Sequence, residues 1–343
     1  MILRRNPDLF SENIVADHLS EQAIYGVFYG LTLRPFDLTP DPRFLFLTPR
    51  QREAVSNLQY GLTTPRGFAL LIGEAGTGKT TLVQAVLAQL RESPSKYVSL
   101  SNPTLNRGEF YEHLARAFGL SEDAALSKTR FLSELGAQVQ TRSASGGLTG
   151  LIVDEAQSLP YELLEEIRLL GNVEAQTTKL LNIVLAGQPE LADRLNEPSL
   201  RQLKQRISLR CELATLDLQE TGAYIAGRLR VAGGSPAQVF TREAVIAIHR
   251  LSRGVPRTIN VICDNALIWG FAEQLRPIPV RIAEEVGREF DLGQGSSGLD
   301  SRSSQAPAPT PAPDSRDANG SVSGDDAAPM FEMHTRKRRF SFF

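Results

Sequence analysis

The amino-acid sequence predicts an α/β protein: a mostly parallel sheet with helices on both faces, followed by a small all-helical domain and a disordered C-terminal tail. Three observations carry this. Between about residues 68 and 214, short apolar runs alternate with helix-length amphipathic segments, the pattern of crossover units around a parallel sheet. The stretch GEAGTGKTT, residues 73–81, joins the first apolar run directly to a helical pattern. From about Asp217 the strand-like runs stop, and beyond Gly293 the composition turns to Ser, Gly, Asp and Pro.

Residues 1–24 are polar and mixed, and are read as an N-terminal extension without assigned structure. RPFDLTPDPRFLFLTP (34–49) interleaves prolines with aromatics, so an extended, packed segment is expected rather than a helix or a free linker. A helical pattern follows from Pro49 to Tyr60, with Thr48 as N-cap and proline at the first helical position. Strands are expected at 68–72, 97–100, 151–153, 180–186 and 207–211. Helices are expected at 218–231, 241–251, 257–273 and 279–290. The expected domains are a nucleotide-binding domain at 25–214, a helical domain at 215–292 and a tail at 293–343. The tail contains APAPTPAP and cannot bury enough apolar area to offset chain entropy. It ends in MFEMHTRKRRFSFF, read either as a solvated end or as a short docking peptide.

Bulk properties exclude more than they assert. At 343 residues and 41% hydrophobic content the chain can fill two cores without staples. Lys+Arg 37 against Asp+Glu 39 leaves a net charge of -2, so no global basic field points to nucleic acid. Cys211 and Cys263 lie far apart without ligand-spaced neighbours, which argues against a disulfide framework or a zinc site. No apolar stretch approaches the roughly 20 residues needed to span a bilayer, and the start lacks a signal-peptide core. A cytoplasmic location is expected.

Gly73-Glu74-Ala75-Gly76-Thr77-Gly78-Lys79-Thr80 fits G-x-x-x-x-G-K-[ST] with the required strand before and helix after, and Thr81 continues it. Glycines let backbone N–H groups close on phosphate oxygens at the positive end of the following helix. Lys79 would place a point charge on the β- and γ-phosphates, and Thr80 would complete a magnesium shell. Such an octet arises by chance in roughly one chain of this length in a hundred. The run GLIVDEAQ then closes an apolar strand in Asp154-Glu155. Asp154 would hold magnesium, and Glu155 would act as general base toward the attacking water.

Three further positions refine the site. Gln188 ends the strand LLNIVLAGQPEL, where its amide could orient the attacking water. Arg201 and Arg206, in LRQLKQRISLRCEL, precede the last strand, where an arginine finger would point toward a neighbouring subunit; a basic outer helix face explains them equally simply. Arg257, in SRGVPRTIN, opens a helix of the second domain from which it could reach the γ-phosphate.

Together GEAGTGKTT, LIVDEAQ, IVLAGQPEL, LRQLKQRI and GVPRTIN resemble the AAA+ superfamily in its ORC/Cdc6-like branch. The likeness is greater to the bacterial general secretion pathway protein A (ExeA-like) ATPases, over roughly residues 25–290. That resemblance implies a P-loop AAA+ αβα sandwich with a five-stranded parallel sheet, a helical lid, ATP with Mg2+ at their junction, and ring or filament oligomers that complete the site in trans. It carries over onto Gly73, Gly76, Gly78, Lys79, Thr80, Asp154, Glu155, Gln188, Arg206 and Arg257, with Arg201 a near competitor of Arg206. Secretion-type members continue into a transmembrane helix where this sequence has its tail. The first expectation is therefore an ATP-hydrolysing motor or switch in secretion, envelope or exopolysaccharide assembly. It would be cytoplasmic or peripheral at the inner membrane, with a protein partner docking through the tail. The second is a DNA-associated ATPase acting as a transposition or replication helper.

Overall fold

The computed structural model describes residues 25–291, apart from 40, 65–66, 91–94, 102–104 and 176–177. The expected N-terminal extension and the tail with its basic, aromatic end lie outside the described residues.

The first part of the chain runs α1 (Pro49–Thr63), β1 (Phe68–Gly73), α2 (Lys79–Gln89), β2 (Lys96–Leu100), α3 (Arg107–Phe118), α4 (Glu122–Leu126), α5 (Lys128–Ala144), β3 (Thr149–Val153), α6 (Tyr161–Leu170), β4 (Leu181–Gly187), α7 (Pro189–Leu195) and β5 (Ile207–Leu213). The strands form one parallel sheet in the order β2-β3-β4-β1-β5. This is the P-loop AAA+ arrangement that the resemblance implies.

The central strands β1, β3 and β4 are buried at every position, because strands cover both edges and helices cover both faces. Hence their sequences read as nearly continuous apolar runs, with Thr149 and Asn182 the buried polar exceptions. The edge strand β5 instead exposes Ser208, Arg210 and Glu212. Alternate side chains serve opposite faces. Leu70, Ile72, Leu151, Val153, Ile183 and Leu185 join Phe110, Phe131 and Ile167 of α3, α5 and α6. Leu71, Ile152, Val184 and Ala186 join Leu58 and Leu62 of α1 and Val83 and Val86 of α2.

The start of α1 is fixed by reciprocal bonds. Thr48 Oγ1 accepts the Gln51 N–H at 3.2 Å, and Gln51 Oε1 accepts the Thr48 N–H at 3.0 Å, with Pro49 at the first helical position.

After β5 come α8 (Leu218–Val231), α9 (Arg242–Ser252), α10 (Pro256–Ala272) and α11 (Val280–Glu289). Their apolar faces meet in a separate cluster that includes Ile225, Leu229, Ile248, Ile259 and Val286. Tyr25, Tyr29, Leu31, Phe36 and Phe44 are buried in this helical cluster, although sequence order groups them with the sheet. The Tyr25 hydroxyl donates to Asp264, and the Arg228 guanidinium donates to the Pro35 carbonyl. The segment before α1 is thus anchored on the helices before the chain enters the sheet. On the return path, Leu216 N–H donates to Gly254 O at 2.8 Å. Gly254 has φ +74°, and a Cβ there would stand 1.9 Å from the Leu216 oxygen, so glycine is required. Among the described residues no helix is long and apolar enough to cross a membrane.

Candidate functional site

The site is built at the C-terminal ends of β1, β3 and β4, where parallel strands release their chains into loops. β1 ends at Gly73, and the loop to α2 passes through Gly76 at φ +79° and Gly78 at φ +96°. Thr77 holds the turn, with its hydroxyl donating to Glu74 O at 2.8 Å. Lys79, 5% exposed, folds back so that Nζ donates to Gly73 O at 2.8 Å and Glu74 O at 3.0 Å. Burial pushes its pKa below the usual lysine range, while the carboxylates of Glu155, Asp154 and Glu74 pull it back up.

β3 brings Asp154 to this loop. Its backbone N–H donates to Leu100 O at 2.9 Å, which ties the strand end to β2. Asp154 Oδ2 accepts the Thr80 hydroxyl at 2.6 Å, and Oδ1 accepts the Glu155 N–H at 2.9 Å. Glu155 then adopts φ 52° and ψ 36°, a left-handed conformation that costs a non-glycine residue about 1–2 kcal/mol. β4 delivers Gln188, whose side-chain amide lies 3.4 Å from Glu155 Oε2. Three residues expected to act together, Asp154, Glu155 and Gln188, are therefore gathered beside Lys79 and Thr80.

A cavity of about 340 Å³ opens beside them, lined by Gly76, Thr77, Gly78, Lys79, Thr80, Thr81, Glu155 and Arg257 among others. Gly73 and Glu74 contribute carbonyl oxygens to Lys79 instead, and Ala75 is an exposed turn residue. Arg257 arrives from α10, and its N–H donates to Gly76 O at 3.2 Å. Neither Arg201 nor Arg206 lines this cavity. Arg201 is exposed. Arg206 donates from Nη1 to Arg168 O at 2.9 Å, and burial with the nearby Arg168 cation pushes its pKa below the usual arginine range against the pull of Glu165.

The opposite wall was not assigned to the site from sequence. It comes from the segment before α1, including Asp37, Phe44 and Phe46, and from Tyr224, Arg228 and Asn260 on the helices. Arg228 is 9% exposed. Its guanidinium centre lies 4.8 Å from the Phe44 ring and 5.4 Å from the Tyr224 ring. Its Nη1 donates to the Tyr224 hydroxyl at 2.9 Å, which in turn donates to Asn260 Oδ1 at 2.9 Å. The proline and aromatic content of 34–49 signalled a packed segment, but not which surface it would line. Gln157 was also missed: its amide nitrogen donates to Glu155 Oε2 at 2.6 Å.

A strand–loop–helix turn rich in N–H groups, a buried lysine and a hydroxyl paired with a carboxylate suit a nucleotide's phosphates. Comparisons with known proteins bear on the chain's family. A family model described as an AAA domain matches residues 62–195. The chain is 41% identical over 280 residues to the general secretion pathway protein A of Aeromonas hydrophila, covering 80% of this chain and 51% of that protein. It therefore spans about half the length of that relative. Among solved structures, Drosophila ORC bound to DNA matches with TM-score 0.59 at 18% identity, covering 85% of this chain and 70% of that one. Cdc6p from Pyrobaculum aerophilum matches with TM-score 0.57 at 16% identity, covering 77% and 72%. At these identities the two structures speak for the fold alone. The chain thus carries an AAA domain over residues 62–195 within an αβα fold, and over 80% of its own length it is related to general secretion pathway protein A.

Proposed function

We propose that this chain binds ATP with Mg2+ between the sheet and the helical layer, hydrolyses it, and acts as an oligomeric motor or switch in secretion, envelope or exopolysaccharide assembly. The observation that carries the reading is the 2.6 Å contact of Thr80 Oγ1 with Asp154 Oδ2 beside the buried Lys79. Mg2+ takes hard oxygen ligands, one or two carboxylates together with phosphate oxygens and waters, and this pair fits that demand. Thr80 and Asp154 would hold the ion, which would supply charge neutralisation to the phosphates. Lys79 would exchange its two carbonyl partners for phosphate oxygens, a trade favoured by their negative charge. Glu155 would accept the proton of the attacking water, Gln188 would orient that water, and Arg257 would approach the γ-phosphate from α10. Phe44, Phe46 and Tyr224 offer apolar surface to the base. Arg206, outside its own chain's cavity, would serve the site of a neighbouring subunit.

The relatedness to general secretion pathway protein A supports the secretion assignment, and a peripheral place at the inner membrane belongs to the same proposal. The terminal RKRRFSFF is the segment proposed to dock a protein partner. The test is steady-state ATP hydrolysis with Mg2+, with and without duplex DNA. Lys79→Ala should abolish nucleotide binding, and Glu155→Gln should retain binding and stop turnover. Equal loss of binding in both would overturn the role of Glu155. Stimulation by DNA that disappears at high salt would transfer the process to the DNA-associated alternative.

A further inference from the structure

We propose that Gln157 is a positioning residue that holds the Glu155 carboxylate against Gln188, so that turnover depends on a glutamine two residues beyond the base. The inference rests on the reading of Glu155 as general base.

The Gln157 amide has only one orientation that satisfies its neighbours. Its Oε1 accepts the Gln188 backbone N–H at 3.1 Å, and a backbone N–H can only donate. Its Nε2 therefore faces Glu155 Oε2, at 2.6 Å. The Gln188 side-chain amide reaches the same oxygen at 3.4 Å. One glutamine side chain thus joins the Glu155 carboxylate, through Nε2, to the Gln188 backbone, through Oε1.

Two features keep this link in place. Position 187 is glycine, and a Cβ there would lie 2.8 Å from Gln157 Oε1, so the amide has room only because that side chain is missing. Arg194, on the helix that follows Gln188, donates to Gln157 O and, at 2.8 Å, to Leu159 O, while its guanidinium lies 4.7 Å from the Tyr161 ring. The turn carrying Gln157 is therefore clamped to the same element as Gln188. A glutamate side chain at a left-handed position has several rotamers open to it. The charge-assisted bond from Gln157 selects one of them.

The test uses the full chain with Gln157→Met or Gln157→Glu, each alone and combined with Glu155→Gln. The readouts are kcat, KM and the Kd of a fluorescent ATP analogue with Mg2+, with single-turnover rates for the slow variants. Misplacing a catalytic group by about 1 Å costs on the order of a hundredfold, so kcat should fall about 10- to 100-fold. Kd should stay within about twofold of the unmodified chain. In the Glu155→Gln background the Gln157 changes should subtract nothing further, because the group they position is gone. Gln157→Glu keeps the size of the side chain and an acceptor for Gln188 N–H, and it carries the test if Gln157→Met does not fold. An unchanged kcat, or a loss that persists undiminished beside Glu155→Gln, would overturn the positioning role. Turnover that survives Glu155→Gln alone would overturn the base assignment itself, and this inference with it.

Discussion

Replacing Gly76 with alanine should separate the phosphate loop from the helical layer above it. A Cβ at this position would stand 2.8 Å from Arg257 Cβ and 3.1 Å from Val255 Cγ1. Carbon atoms in contact settle at about 3.5–4.0 Å, so the start of α10 has to retreat by roughly 1 Å. Arg257 Cβ sits on the helix backbone, and no flexible side-chain end can absorb the movement. The same retreat stretches the 3.2 Å bond from Arg257 N–H to Gly76 O. Position 76 also has φ +79°, which costs an L-residue about 1–2 kcal/mol. At roughly 1.5 °C per kcal/mol for a chain of this size, the melting temperature should drop by about 1.5–3 °C. Nucleotide affinity should weaken by about tenfold or more, since the displaced layer forms the second wall of the cavity. Thermal unfolding and titration with a fluorescent ATP analogue measure both effects. Adding Arg257→Ala should not restore stability, because alanine keeps the obstructing Cβ. A Gly76→Ala protein that melts and binds like the parent would refute the claim that loop and helix form one rigid contact.

Other predictions concern charge and assembly. Glu166 is 5% exposed and bonds the Tyr111 hydroxyl, Lys128 and Arg107, each at 2.5 Å. Burial works to raise its pKa, but the bonds from Lys128 and Tyr111 outweigh it and hold the carboxyl below its usual range. A depressed folded-state pKa contributes stability above the unfolded value of about 4.3, and that contribution is lost as pH falls through the folded value. Glu166→Gln should therefore cost about 1.5–3 kcal/mol near neutral pH in urea unfolding, with the gap closing below about pH 4. A gap that stays constant into acid would contradict this. Arg206→Ala should lower turnover roughly a thousandfold, and mixing it with Lys79→Ala subunits should recover part of the activity. No recovery would argue against a site completed in trans. Arg228→Ala, which frees Pro35 and the Phe44 ring, should weaken nucleotide binding about tenfold with little change in kcat at saturation, as loss of uniform binding does. A fall in kcat alone would place Arg228 in the chemistry instead.

Most of the architecture was legible because parallel-sheet proteins write it locally. FALLIG, TGLIV and LNIVLAG are predominantly apolar, with only Thr149 and Asn182 polar, because both their faces and both their edges are covered. The helices of the second part were bounded by local signals as well, such as Asp217, whose carboxylate caps α8 by accepting the Glu220 N–H at 2.7 Å. Residues 25–46 were harder to place. A buried phenylalanine satisfies any apolar surface, so Phe36 and Phe44 carried no mark of the cluster they would join. Gln157 gave no signal at all, since a polar residue after a strand is common and its partner Gln188 lies in another crossover unit.

The sequence by itself determined the alternation of strands and helices, the glycine-rich turn at 73–81 and the acidic pair Asp154-Glu155, because each is a contiguous pattern whose local structure depends on near neighbours. Only the tertiary structure decided that Thr80 meets Asp154, that the segment before α1 walls the cavity with Tyr224 and Arg228, and that Arg206 stands outside it. Such pairings depend on which strands lie side by side. Here that order is β2-β3-β4-β1-β5, which interleaves distant parts of the chain and brings the ends of β1, β3 and β4 to one point.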